Sequence, residues 1–197
     1  MTPPPRADST RDRIVGAAKD EFSRYGIAGA RVDRIAKGAR TSKERFYAYF
    51  QGKEDLYRFV SAQELTVIAE ATRLDPADLP GYAGRIHDYF TDHPEHFRLM
   101  RWGQLELGTD GSAPDDAIRR SVAHKIGQLR QAQQAGRLDS TFEPIDILIL
   151  VNQIAMAWAG QGDLLPPGDE ARAAFLADRR AAVVAAVERL FPATTED

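Results

Sequence analysis

The stretch Thr41-Ser42-Lys43-Glu44-Arg45-Phe46-Tyr47-Ala48-Tyr49-Phe50 puts hydroxyl and cationic donors at one end and aromatic side chains at the other. Phe46 and Phe50 stand one helical turn apart, so the spacing predicts a short helix with both rings inward. Its other face then carries Thr41, Ser42, Lys43 and Arg45. Before it, Gly38-Ala39-Arg40 reads as a turn, and Val32, Ile35 and Ala36 mark the inner side of a helix from about Arg31 to Lys37. Further back, Ile14, Ala17, Ala18, Phe22 and Tyr25 recur at three- and four-residue steps behind the caps Ser9 and Thr10, and Gly26 ends the pattern. After it, Gln51-Gly52 breaks the helix and a fourth begins near Lys53, reaching toward Thr72 with Leu56, Val60, Leu65 and Ile68 as its buried stripe.

Charge follows the same division. The formal net charge is −3, yet residues 1 to 53 hold 12 Lys/Arg against 6 Asp/Glu, which leaves 14 against 23 for the remainder. A basic head and an acidic remainder point to a partner that is a polyanion and meets only one end of the chain. Two short helices joined by a turn, the second tipped with donors, suit the DNA major groove. On this reading Thr41, Ser42, Lys43 and Arg45 face the bases, where Lys or Arg pairs with guanine and Ser or Thr serves base or phosphate. Tyr47 and Lys53 are placed for phosphate, the latter beside the positive N-terminal end of the fourth helix.

The rest of the 197 residues also reads as helix. Asp75-Pro76 and Leu79-Pro80-Gly81 bracket a loop; Tyr82, Ile86, Tyr89 and Phe90 form a stripe that stops at Asp92-His93-Pro94. Phe97, Leu99, Met100, Trp102, Leu105 and Leu107 make the next, ending at Gly108, and Pro114 opens a long one that Gly136 terminates. Phe142 to Gly160 is apolar almost all round, which implies burial on two sides. A final alanine-rich helix runs from about Glu170 to Phe191. The expected fold is all-α, with about nine helices. A disordered arm (1–8) precedes a three-helix head (9–53) and a helical body (54–197). Cysteine is absent, which excludes disulfides, thiolate metal sites and cysteine nucleophiles. The N-terminus lacks the apolar core of a signal peptide, and the longest apolar run, 145 to 151, falls far short of the roughly 20 residues that span a bilayer. A cytoplasmic protein without membrane contact is expected.

The run from Arg11 to Tyr57 resembles the N-terminal domain of TetR family transcriptional regulators. The resemblance rests on Ile14-Val15-Gly16-Ala17-Ala18, Phe22, Tyr25-Gly26, Val32-Asp33-Arg34-Ile35-Ala36, Ser42-Lys43, Phe46-Tyr47-Ala48-Tyr49-Phe50 and Lys53-Glu54-Asp55-Leu56. Two positions depart from the pattern. Ala30, followed by Arg31, replaces a hydroxyl residue that often caps the second helix and touches phosphate, and Arg40 replaces a turn glycine. Arg31 is therefore expected as a substitute phosphate contact, Gly38 is expected to absorb part of the turn strain, and Arg40 faces DNA or solvent. Arg6 and Arg11 are candidates for the minor groove.

The resemblance implies that the body dimerises and binds a small inducer. Two-fold pairing also follows from the geometry of half-operators, and the last two helices are the expected interface of a homodimer. Tyr89, Phe90, Phe97, Met100, Trp102, Met156 and Trp158 are candidates to line an apolar cavity, with Gln104, Glu106, His124, Gln128, Asn152 and Gln153 as polar groups that orient the ligand. Its identity stays open, as does a constitutive DNA binder with no inducer. No cofactor is expected. For an enzyme the richest spot is His87-Asp88 with Asp92-His93-Pro94-Glu95-His96, where His93 and His96 share a helix face. A cap with solvated imidazoles explains it better, and no phosphate loop, nucleophile elbow or paired-carboxylate arrangement accompanies it. Neither a catalytic nor a metal site is therefore expected.

Overall fold

A computed structural model describes residues 9–107 and 116–192. The expectations for the arm at 1–8, including Arg6, and for the stop at Gly108 and start at Pro114 fall outside them. Among the described residues there is no strand, and nine α-helices follow in order: α1 Thr10–Gly29, α2 Val32–Gly38, α3 Lys43–Tyr47, α4 Lys53–Ala71, α5 Leu79–Asp92, α6 Pro94–Glu106, α7 Asp116–Gln134, α8 Pro144–Ala155 and α9 Asp169–Leu190. A 3-10 turn, Gly162–Leu164, lies between the last two. The all-α expectation holds.

The described chain falls into two compact units, one made of residues 9–65 with 95–107, the other of 66–94 with 116–192. The first contains the basic head. Its core joins Ile14, Ala18 and Phe22 of α1, Ile35 of α2, Phe46 and Phe50, Leu56, Tyr57 and Val60 of α4, and Leu99 of α6. Phe22 meets Tyr57 edge-on at 5.3 Å, and the Tyr57 hydroxyl donates to the Leu99 carbonyl at 2.7 Å. Burial raises the pKa of that phenol. A Cβ at Gly103 would collide with the Tyr57 hydroxyl, so the missing side chain lets α4 and α6 approach. Glu64, buried in α4, receives Lys19 of α1 and, at 2.9 Å, His96 of α6. The His96 imidazole is therefore engaged by a carboxylate rather than solvated.

In the second unit α5 packs most extensively on α9, and α8 touches α5, α7 and α9. Tyr82, Ala83 and Ile86 of α5, Leu129 of α7, Ile147, Leu148 and Val151 of α8, and Val183 and Val187 of α9 are buried. Gly84 allows the close crossing: a Cβ there would lie 2.9 Å from the Arg180 guanidinium, which pairs with Asp88 at 2.8 Å. His87 is 4 % exposed, and neither ring nitrogen has a hydrogen-bond partner among the described residues. The apolar run from Phe142 resolves into a helix shorter than the run, starting at Pro144 and capped at Met156. Proline fits the first turn because its missing N–H has no helical partner there.

Candidate nucleic-acid interface

The head is built from its caps inward. Ser9 accepts the Asp12 amide at 3.1 Å while Asp12 accepts the Ser9 amide at 3.2 Å, a reciprocal box that starts α1. The chain leaves helical geometry at Gly26, with φ +69 and ψ −176, a conformation open to glycine alone. A Cβ there would run into Glu106 and lie 2.9 Å from the Trp102 ring. Glu106 accepts the Ala28 amide at 2.6 Å, so α6 closes the elbow between α1 and α2.

No side chain of the N-cap residue itself caps α2. The departure at Ala30 and Arg31 is made good from α1: Glu21, 7 % exposed, accepts the Arg31 amide at 2.9 Å and the Arg34 Nε at 2.7 Å. Arg34 also donates to the Gly29 carbonyl at 2.8 Å and covers the Tyr25 ring at 4.3 Å. The hydrogen bond to Glu21 raises the pKa of the guanidinium. The side chain of Arg31 is left exposed.

The turn between α2 and α3 corrects one expectation. Gly38 does not absorb the strain; it ends α2, where a Cβ would press on the Ala17 Cβ at 3.2 Å. Arg40 takes the left-handed conformation instead, with φ +51, the only non-glycine residue with positive φ among those described. The Thr41 amide donates to the Ala36 carbonyl at 3.0 Å and the Arg40 amide to the Lys37 carbonyl at 3.1 Å. These are the two bonds of a Schellman cap. α7 ends in the same way, with Arg137 to Ala132 at 2.9 Å and Gly136 to Gln133 at 3.0 Å, but there glycine holds the left-handed position at φ +70. The geometry at Arg40 is thus imposed by the cap, and it leaves the guanidinium exposed beside the start of α3.

Ser42 caps α3 by accepting the Arg45 amide at 3.1 Å. Phe46 is fully buried and Phe50 nearly so, with ring centroids 6.0 Å apart, as the inward face requires. The α-helix itself covers only Lys43–Tyr47, while the amides of Tyr49 and Phe50 still reach back to the Phe46 carbonyl. Ser42, Lys43, Arg45 and Tyr47 are exposed and Thr41 is half-buried. Lys43 pairs with Asp33 of α2 at 2.9 Å, and that hydrogen bond raises its pKa. Arg45 lies 5.8 Å from the Tyr49 ring. The structure therefore brings Arg40, Thr41, Ser42, Lys43, Arg45 and Tyr47 together on one tip.

Two cations lie otherwise than a simple basic face suggests. Lys53 donates to the carbonyls of Ala28 at 2.7 Å and Ala30 at 3.4 Å, which ties the start of α4 to the elbow. Arg11 belongs to α1 and covers the rings of Phe59 at 4.1 Å and Phe50 at 5.8 Å. The Glu21 cap is a support that sequence reading missed, its one signal being a carboxylate on an otherwise apolar helix face, whereas Glu106, read there as a ligand-orienting group, caps the Ala28 amide.

The proposed ligand residues divide between the units. Phe97, Met100 and Trp102 lie on α6 in the first, where Trp102 backs Gly26. Tyr89, Phe90, Gln128, Asn152, Gln153, Met156 and Trp158 lie in the second. There Tyr89 and Phe90 meet edge-on at 5.4 Å, Trp158 meets Phe175 at 5.7 Å beneath Arg179, and Gln153 is exposed. Asn152 accepts from the Tyr82 hydroxyl at 3.1 Å. Of the polar candidates outside these, Gln104 accepts from Arg101 at 3.0 Å and His124 is exposed. No helix among the described residues is long and apolar enough to cross a membrane.

Known proteins match both parts of the chain. Residues 14–60 fit the model for bacterial regulatory proteins of the tetR family, and residues 78–189 fit the tetracyclin repressor-like C-terminal domain. The chain is 39 % identical over 154 residues to the HTH-type transcriptional repressor SCO4008 of Streptomyces coelicolor, covering 77 % of this chain and 79 % of the relative. It is 34 % identical over 147 residues to the HTH-type transcriptional repressor NicS of Pseudomonas putida, covering 70 % and 68 %. Among solved structures, the putative transcriptional regulator SCO4942 from Streptomyces coelicolor superposes with a TM-score of 0.79 at 52 % identity, over 94 % of this chain and all of that one. With a helix-turn-helix head and a matching helical body, the chain belongs to the TetR family of DNA-binding transcriptional regulators.

Proposed function

We propose that this regulator is a repressor that binds a palindromic operator as a homodimer and releases it when a small molecule binds the second unit. The observation that carries the reading is the donor tip, in which Ser42 caps α3 while Arg40, Lys43, Arg45 and Tyr47 stand exposed over a buried Phe46 and Phe50. Such a tip offers cationic donors to guanine and phosphate, with its rear face fixed by packing. Arg31 adds a flanking phosphate contact. Lys53 contributes by fixing the elbow through two of its ammonium hydrogens, and the third is left to reach phosphate. Two relatives that the chain matches over two thirds of its length carry the name repressor, which supports that sign of control.

Pairing is supported by what α8 leaves uncovered. Ile145, Ile149 and Leu150 are 41 %, 48 % and 36 % exposed along one side of the helix, while Ile147, Leu148 and Val151 fill the core on the other. On α9, Ala174, Ala181 and Ala182 are exposed and small enough for a helix to approach closely. A second copy of the same two helices covers both surfaces in a four-helix contact. Two heads held this way read half-sites about 34 to 36 Å apart or a multiple of that. α4 begins in the first unit and ends in the second, and a ligand response reaches the heads through it.

The test starts from an operator selected out of a random duplex pool. Lys43→Ala or Tyr47→Ala should weaken binding by about 1 to 3 kcal/mol, roughly five- to 150-fold, and leave dimerisation and melting intact. Ile149→Glu should shift the dimer to monomer in sedimentation. Wild-type affinity in either head variant would refute the docking of α3, and failure of every metabolite to release the operator would favour a constitutive regulator.

A further inference from the structure

We propose that the effector is an organic monocarboxylate and that Lys125, assisted by Asn152, receives its anionic group within the second unit. The inference rests on the reading that this regulator answers to a small molecule, and it adds the chemical class. Three helices supply the site: Tyr82 from α5, Lys125 from α7 and Asn152 from α8. The Lys125 Nζ donates to the Tyr82 hydroxyl oxygen at 3.0 Å and lies 5.3 Å from the centre of that ring. Tyr82 is fully buried, and its hydroxyl sits 3.1 Å from Asn152 Oδ1.

Donor counting orders the chain. An ammonium has only hydrogens to give, so Tyr82 must accept from Lys125 and pass its own proton toward Asn152 Oδ1. That direction fixes the Asn152 amide with its NH2 group turned away from the phenol. Two ammonium hydrogens and the Asn152 amide hydrogens then remain. Among the described residues no carboxylate lies within 4.0 Å of Lys125. Among the described residues, the only polar partner of this half-buried cation is a neutral phenol. Burial lowers its pKa, and among the described residues no opposing charge restores it. Such a charge is unfavourable until an anion joins it.

One cation matches one negative charge. A carboxylate accepts from an ammonium and an amide at once through its two oxygens. Inorganic phosphate carries more charge than one lysine neutralises, so it is the competing outcome.

The test uses the full-length chain with benzoate, hexanoate and octanoate, their matched amides, and inorganic phosphate. Acids should raise the melting temperature and release the selected operator, whereas the amides should do neither at the same concentration. Lys125→Met, and Lys125→Gln as a second variant that keeps a donor without the charge, should weaken acid binding by tenfold or more while the ligand-free proteins melt no lower than wild type. Equal response of wild type and both variants to the acids, equal action of acid and amide, stronger action of phosphate, or no acid acting at all overturns the proposal. If neutral metabolites still release the operator from wild type and Lys125→Met alike, ligand response stands and only the carboxylate falls. If no compound of either kind releases it, the ligand-responsive reading has failed as well.

Discussion

Arg40 offers a direct measurement of how much the turn of the DNA-reading head costs. Its φ of +51 places a β-carbon in the left-handed region, unfavourable by about 1 to 2 kcal/mol for a residue other than glycine. Glycine there removes that strain but frees the unfolded chain, a loss of about 0.4 to 1 kcal/mol. Arg40→Gly should therefore stabilise the protein by roughly 0.5 to 1 kcal/mol net, or about 1 to 4 °C in a chain of this size. Arg40→Ala keeps the strain and loses the same side chain, so its melting temperature should stay near wild type and below that of the glycine variant. Melts are compared at one fixed protein concentration, because a dimer's midpoint depends on it. The same pair separates backbone from side chain in DNA binding. If Arg40 contacts one phosphate per protomer, both variants should lose about 1.8 from the slope of log affinity against log salt, counted for two heads. Equal melting of the alanine and glycine variants would refute the strained cap, and an unchanged slope would assign Arg40 to solvent.

Glu21→Ala leaves the Arg31 amide and Arg34 without their shared acceptor. It should lower stability by about 2 to 3 kcal/mol in thermal unfolding, whereas Arg34→Ala, which spares the amide bond, should lower it less. At alkaline pH the phenol of Tyr82, held up to about 12 by burial, stays protonated while the unfolded form ionises near its ordinary 10.0. The folded state then binds more protons, so the stabilisation is fully present below about pH 10 and lost as pH rises toward 12. Tyr82→Phe should flatten that fall, as read from denaturant midpoints across the range, and an unchanged slope would remove Tyr82 as its cause.

The relation between residues and structure differs from one cap to the next. Ser9 and Asp12 stand three residues apart, so their box needs nothing beyond the first helical turn and was legible in the chain. Gly136 likewise marks its own cap. The second helix has no such local signal, because its acceptor is Glu21, 10 residues before Arg31. Only the packing of α1 on α2 brings the carboxylate there. Lys53 reads as a phosphate ligand from its place at a helix start; that it also serves two carbonyls is not visible there, because they lie 25 and 23 residues away. Trp102 read as cavity lining from its periodicity, and helical spacing cannot say which unit an inward face joins.

By itself the chain determined that it is helical, that its first 53 residues concentrate positive charge, and that Phe46 and Phe50 turn inward beneath a row of donors. These properties are set within one or two turns, by side-chain period and local hydrogen bonds. Only the tertiary structure decided which polar groups are already satisfied. Glu106 reaches Ala28 across 78 residues, Lys125 finds Tyr82 across 43, and Tyr82 finds Asn152 across 70. A buried polar group must be matched by whatever packing brings to it, and pairs so far apart leave no periodic trace in the sequence.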